Sequence, residues 1–279
     1  MRAALLQMTS GDDPEVNLAS AREMIREAAG AGAGAGFVLT PEVTNCLSAS
    51  RAVQERVLQY EADDLTLAAL RAEAAELGIW LLIGSLALKT GDADGRFANR
   101  SFLVASDGAI TARYDKIHMF DVQINDTESY CESEGYRPGN RAVMAATPFG
   151  VLGLSICYDL RFAHLYRTLA HAGAEILTVP AAFSPVTGAA HWEPLLRARA
   201  IETGCYVLAP AQCGSHSASE GRERRTHGHS LAVSPWGEVL ADGGDAPGIV
   251  YVDLDREEVA RARARVPAIT HDRPFAPPA

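Results

Sequence analysis

The sequence predicts an α/β fold built on mixed sheets, and three observations lead there. Short β-branched runs alternate with stretches of helical spacing along most of the chain, the pattern of a layered α/β protein. The clearest junction lies at residues 151–173. Residues 151–156 form a nearly uncharged run bounded upstream by Pro148 and Gly150, which reads as a buried strand. Phe162, Leu165, Tyr166 and Leu169 then recur at helical period, with Asp159 placed to cap the first turn and Gly173 to end the helix. Elsewhere Asp107-Gly108 joins two strand-like runs as a hairpin signal, so at least one strand pair is antiparallel.

The remaining elements follow in order. Residues 2–8 read as a first strand. Asp13-Pro14 gives an N-cap and a first-turn proline to a helix with Val16, Ala21, Met24, Ile25 and Ala28 on its apolar face, and the Gly/Ala stretch 30–36 ends it. Residues 37–39 are a second strand, broken by Thr40-Pro41-Glu42. Residues 62–77 read as a helix closed by Gly78; 79–85 and 97–105 read as strands, the latter turning into 109–114. The polar stretch 121–139 reads as a long functional loop. Strands are expected at 175–179 and 205–209, flanking a helix at 191–203 that Gly204 ends. A polar loop covers 212–226. Residues 231–233 and 238–240 form a hairpin about Ser234-Pro235-Trp236-Gly237, and 248–254 is a last strand before a short Arg/Glu/Ala helix.

Composition narrows the function classes. The chain has 279 residues, 48% hydrophobic and 22% charged, close to the globular average. Its net charge of −10, without a basic stripe, argues against nucleic acid and anionic membrane surfaces as partners. The densest basic cluster, Arg222-Glu223-Arg224-Arg225, reads as a solvated loop. The first eight residues are too short and polar-flanked for a signal peptide, and no apolar run reaches membrane-spanning length. Cys46, Cys131, Cys157, Cys205 and Cys213 are odd in number, scattered and without a C-x-x-C pair. They read as free thiols in a reducing cytoplasm and not as a zinc site; His227-x-His229 has no cysteine pair beside it. With no composition shift along the chain, one domain is expected.

Three residues stand at strand ends, where α/β sheets place ligands. Cys157 follows a strand and faces a helix N-terminus, which favours a thiolate; the alternative is a buried structural thiol. Glu42 puts a carboxylate after the second strand, or is a loop glutamate capping a neighbour. Lys116 follows another strand, where a lysine is ordinarily a solvated surface group.

Seven segments then decide between these readings: residues 39–42 (LTPE), 98–101 (ANRS), 114–121 (YDKIHMFD), 153–162 (GLSICYDLRF), 180–183 (PAAF), 191–193 (HWE), and Gly228-His229-Ser230 with Pro235-Trp236-Gly237. In type and order they resemble the nitrilase superfamily of carbon–nitrogen hydrolases, and within it the Nit branch of ω-amidase and deaminated-glutathione amidase. The resemblance spans residues 1–273 as one domain, leaving 274–279 as a tail. It implies a four-layer α-β-β-α sandwich, assembly as a homodimer or higher homo-oligomer, and no metal or cofactor. It also implies that Glu42 is the general base, Lys116 the charge stabiliser and Cys157 the nucleophile, with Lys116 and the Tyr158 backbone N–H as oxyanion donors. Glu132 is the best match for a second glutamate by its spacing from Lys116, with Glu128 and Glu134 close enough to stay open. Arg161 is expected either to bind a substrate carboxylate or to pair with Glu193 or another acid, and Phe183 and Thr187 to line the pocket. His191-Trp192 is expected to pack. The implied activity is hydrolysis of a small linear carboxylic amide to acid and ammonia. An N-carbamoyl amino acid amidohydrolase, or a non-catalytic thiol-switch scaffold, are the alternatives.

Overall fold

The computed structural model describes residues 1–126 and 128–278, without the side chains of Asn125 and Glu128. Its first six-stranded sheet runs, edge to edge, β16 (Gly248–Asp253), β1 (Arg2–Gln7), β2 (Phe37–Leu39), β3 (Trp80–Lys89), β4 (Phe97–Val104) and β5 (Ile110–Asp115). The second runs β15 (Val239–Asp242), β14 (Leu231–Val233), β11 (Tyr206–Ala209), β10 (Ile176–Thr178), β9 (Gly150–Leu154) and β8 (Val143–Thr147). Both are mixed. Parallel trios, β1-β2-β3 and β9-β10-β11, lie at their centres and antiparallel strands flank them.

Alternation along the strands builds the layers. Ala3, Leu5, Phe37, Leu39 and Leu82 share one core with Leu152, Leu154 and Ile176 of the second sheet. Their neighbours Ala4, Leu6, Val38, Leu81 and Ile83 point the other way, onto α1 (Pro14–Ala29) and α3 (Leu65–Leu77). Leu165, Tyr166 and Leu169 of α5 (Ala163–His171) and Trp192, Leu196 and Ala200 of α6 (Pro185–Thr203) join the core of the second sheet. The result is the expected four-layer α-β-β-α sandwich.

Local signals account for most helix ends. The Asp13 side chain accepts the N–H groups of Glu15 and Val16 with Pro14 in the first turn, and Gly78 and Gly204 close α3 and α6 at φ +64° and +62°. Four expectations need correction. A short helix, α2 (Arg51–Val57), capped by Ser50, escaped the periodic reading because seven residues show too few turns. The stretch expected as a loop at 121–139 holds a hairpin, β6 (Asp121–Asn125) with β7 (Glu128–Cys131), and then α4 (Glu132–Gly135). The expected loop at 212–226 likewise contains β12 (Cys213–His216) paired with β13 (Arg224–His227). Helix α6 begins at Pro185, six residues before the expected start. Gly188 inside it looks like a breaker, yet an added Cβ there would meet His227 at 2.2 Å, so glycine lets the β12–β13 hairpin sit on the helix. Ala279, the last residue of the expected tail, lies outside the described residues.

That hairpin hangs on one buried histidine. His216, 1% exposed, donates from Nδ1 to the Ser10 carbonyl at 2.7 Å and accepts the Thr226 hydroxyl at Nε2, also 2.7 Å. Burial pushes the imidazole down to about 4 despite the Ser10 bond, and the positive charge of Arg224 adds to this. A histidine depressed in the folded state stabilises above its unfolded value and loses that contribution as pH falls. The window is therefore from about pH 6.5 down to about 4, where the unfolded chain takes up a proton that the folded chain refuses. Urea unfolding of the wild type and His216→Gln is expected to show their stability difference shrinking by up to about 3 kcal/mol across that window.

Candidate active site

Glu42, Lys116, Glu132 and Cys157 converge on one cavity of about 660 Å³, between loops that leave the ends of both sheets. Glu42 arrives from the carboxyl end of β2, where Pro41 stops the strand. Its side chain is buried: Oε1 accepts Lys116 Nζ and Asn99 Nδ2, both at 2.9 Å, and Oε2 accepts the Ala182 N–H at 2.9 Å. The next residue, Val43, sits at φ +47°, rare for a β-branched residue, and its N–H donates to Ser85 Oγ at 2.8 Å. Gly84 closes in from β3. A Cβ there would lie 2.0 Å from the Thr40 carbonyl oxygen, so the Glu42 turn needs that glycine.

Lys116 leaves β5 with its backbone fixed at both ends, its N–H on the Asn99 carbonyl at 3.0 Å and its carbonyl accepting Gly139 N–H at 2.7 Å. Only 2% exposed, its ammonium donates to Glu42 Oε1 at 2.9 Å and to Glu132 Oε1 and Oε2 at 2.9 and 2.8 Å. Glu132 opens α4 and also accepts the Phe120 N–H at 2.7 Å. Of the three glutamates left open, Glu132 therefore holds the lysine. Glu134 lies on the cavity wall without a bond to it, and the side chain of Glu128 lies outside the described residues.

Cys157 follows β9 and sits at φ +50°, a left-handed conformation costing about 1–2 kcal/mol for a residue with a Cβ. Its N–H donates to Pro180 O at 2.9 Å, and it opens a 3₁₀ turn, Cys157–Arg161, that stands between the sulfur and the expected helix, which begins only at Ala163. Asp159 is not that helix's cap. Fully buried, it accepts Ile156 N–H (2.9 Å) and Tyr114 O–H (2.6 Å) on Oδ2 and His118 N–H (3.0 Å) on Oδ1, with His118 Nδ1 2.7 Å away. One carboxylate thus clamps the cysteine turn to the segment carrying Lys116. The Tyr158 N–H, beside the sulfur, has no partner among the described residues.

A scan of the chain finds the carbon–nitrogen hydrolase family over residues 2–264. The chain belongs to that family. A protein named deaminated glutathione amidase from Yersinia enterocolitica is 41% identical over 272 residues, covering 97% of this chain and 92% of that one. Saccharomyces cerevisiae Nit3, of branch 10 of the nitrilase superfamily, superposes with a TM-score of 0.83 at 29% identity, covering 96% of this chain and 94% of the other. A mutant amidase from Nesterenkonia, carrying an acetamide moiety on its active-site cysteine, gives 0.76 at 26% identity, covering 95% of each chain. This carbon–nitrogen hydrolase is an amide-hydrolysing enzyme of the Nit branch.

The hydrolase site rests with a proton on sulfur. Burial raises the Cys157 thiol well above its ordinary value and the Glu42 charge adds to this, with Lys116 offsetting only part. Glu42 goes the other way. Burial would raise its carboxyl, but the charge and hydrogen bond of Lys116 and a bond from the Cys157 thiol hold it below the usual range. Burial opposes the Lys116 charge, and Glu132 and then Glu42 outweigh it and lift the ammonium well above normal. The expected thiolate is thus replaced by a thiol beside an ionised base. The 3₁₀ turn is too short for the dipole that was to stabilise sulfur, and burial acts on it first.

Phe183 and Thr187 line the cavity as expected, together with Tyr158. Arg161 sets Nη1 3.2 Å from His191 Nδ1 and lies over the rings of Tyr158 and Phe183, while Glu193 pairs with Arg197. Among the described residues Arg161 pairs with no acid, so the expected ion pair with Glu193 is not formed. Trp192 packs in the core, its Nε1 donating to His229 O at 2.7 Å. Sequence reasoning missed Asn99, which bonds both glutamates, although it lay inside a quoted motif. It also missed Arg224, which lines the cavity. Among the described residues no group of three or more His, Cys, Asp or Glu could hold a metal ion.

The clamp makes a testable difference between two substitutions. Asp159→Ala leaves three buried donors without an acceptor and is expected to cost about 3 kcal/mol or more in urea unfolding. Tyr114→Phe removes one of them and is expected to cost about 1 kcal/mol.

Proposed function

We propose that this hydrolase is a cysteine-dependent amidase acting on a small linear amide of a carboxylic acid, an ω-amide or a γ-amide like that of deaminated glutathione, through a thioester. The observation that carries the reading is the buried ammonium of Lys116 bridging Glu42 and Glu132 beside the Cys157 thiol. As sulfur attacks the amide carbonyl, its proton passes to Glu42. Negative charge grows on the carbonyl oxygen, where the Tyr158 N–H donates to it and the fixed charge of Lys116 offsets it. Protonated Glu42 gives its proton to the leaving nitrogen as the carbon–nitrogen bond breaks. A primary amide releases ammonia, and a γ-amide of a peptide releases the peptide amine. Glu42, a carboxylate again, takes a proton from water as its oxygen attacks the thioester, and the proton returns to sulfur as the acid leaves.

The relatives named amidases favour the amidase over the carbamoylase alternative, which release of carbon dioxide alongside ammonia would indicate. Membership in the hydrolase family leaves a thiol-switch scaffold without support. The relative from Yersinia points to the γ-amide substrate, and the acetamide moiety held on the active-site cysteine of the Nesterenkonia amidase to a reactive sulfur. No described helix is long and apolar enough to cross a membrane. All five cysteines are free, which supports the cytoplasm as the place of action. Assembly as a homodimer or higher homo-oligomer is also proposed. Ile201 on α6 packs against Gly237, with Trp236, Val239 and Leu240 exposed nearby.

Cys157→Ala is expected to keep the fold by circular dichroism and lose amide turnover. Hydroxylamine should intercept the wild-type thioester as a hydroxamate, and Glu42→Gln should slow turnover by about 10²–10⁴-fold. An active Cys157→Ala protein would refute the nucleophile. Light scattering on the purified chain is expected to give at least twice the monomer mass of 29.7 kDa.

A further inference from the structure

We propose that Asn99 is a positioning residue that fixes the path of the catalytic proton: by holding Oε1 of Glu42, it leaves Oε2 as the atom that takes the proton from Cys157 and passes it on. This rests on the amidase reading. Asn99 lies on β4, 2% exposed, among the residues that line the cavity. Its carbonyl accepts the Lys116 N–H at 3.0 Å, so its main chain steadies the lysine while its side chain meets the acids.

Counting acceptor sites on Glu42 singles out one oxygen. A carboxylate oxygen has two lone-pair sites. Oε1 fills both, with Lys116 Nζ and Asn99 Nδ2, each at 2.9 Å. Oε2 accepts the Ala182 N–H at 2.9 Å and has one site over. Sulfur stands on that side. The same Ala182 N–H also acts on the Cys157 sulfur, and the thiol bonds the Glu42 carboxylate. Lysine and asparagine together close one oxygen, and the thiol proton goes to the other.

The orientation of the amide follows from charge. Nδ2 stands 2.9 Å from Glu42 Oε1 and 3.4 Å from Glu132 Oε1, so a turned amide would set its oxygen against two anions. In the orientation it takes, Oδ1 is buried and has no hydrogen-bond partner among the described residues. An acceptor buried without a partner works against folding, so this side chain is held for its two donors and not for what it adds to the core.

The other titratable or charged groups around Glu42 are Lys116 at the end of β5, Glu132 at the start of α4, Tyr136 just after it, Cys157 after β9 and Arg224 on β13. Substituting Asn99 keeps all five and removes one donor to the ionised base. Losing a donor to the charged form makes that form harder to keep, so the Glu42 carboxyl titrates at higher pH.

The test follows two rates against pH in the wild type, Asn99→Leu and Asn99→Ser. One is alkylation of Cys157 by iodoacetamide, read on its own peptide by mass spectrometry; the other is hydrolysis of glutaramate and of the neutral butyramide. In Asn99→Leu the acid limb of both profiles should move up by about one pH unit. Its kcat should fall by about 10- to 100-fold with KM within about threefold of the wild type. Asn99→Ser, which keeps one shorter donor, should lie between. The position of a limb does not depend on how much of a preparation is folded, so a variant that folds poorly still reports. Rates that fall with the limb unmoved would make Asn99 a structural residue, and a raised KM at unchanged kcat would make it a substrate contact; either overturns the proposal. Alkylation that behaves as expected while neither amide is turned over would instead sink the amidase reading and leave the proton path from sulfur standing.

Discussion

A single ammonium ion, taken out of water and set between two carboxylates, is the constraint to which the rest of the site conforms. Each charge alone would be costly to bury, by several kcal/mol, and removing any one would strand the others. The triad therefore stands only when the end of β2, the end of β5 and the start of α4 meet. Much local structure serves that meeting: the glycine opposite Thr40, the two backbone bonds that pin Lys116, and the Asn99 amide donating to both acids. Sulfur comes from the other sheet. The sandwich, through the apolar core its two sheets share, is what brings nucleophile and base together.

The same burial sets the chemistry. A buried thiolate beside an ionised Glu42 would put like charges together, so the resting proton belongs on sulfur. The base is ready and the nucleophile is released only as bond formation begins. Positive φ values at Val43 and Cys157 mark where backbone is held in uncommon shapes to present these groups, and the hydrogen bonds around Asp159 and Ser85 hold them there.

Much of this could be read before any coordinates. Strand alternation, the Asp13-Pro14 start and the Gly78 and Gly204 stops are local signals, and they placed Glu42, Lys116 and Cys157 at strand ends. Joining the three into one site needed the family resemblance, because periodicity says nothing of which strand ends face each other. The errors share a cause. The hairpins at 121–131 and 213–227 carry polar residues that look like loop, and they become strands by pairing with each other and leaning on neighbours. Asp159 had the right type and place for a cap, yet long-range donors from Tyr114 and His118 claimed its oxygens. Arg224, in what looked like a solvated basic run, turns out to face the cavity because β13 folds back onto α6.

What the sequence determined by itself was the alternation of elements, their glycine and proline boundaries, and the residue types delivered to each strand end, since these depend on neighbours a few positions apart. Tertiary structure alone decided which glutamate holds Lys116, which arginines line the cavity, and which atom of the site keeps the proton. Those outcomes turn on distances of about 3 Å between residues far apart in the chain, and on how much water is excluded around them, and neither is written in any local run of residues.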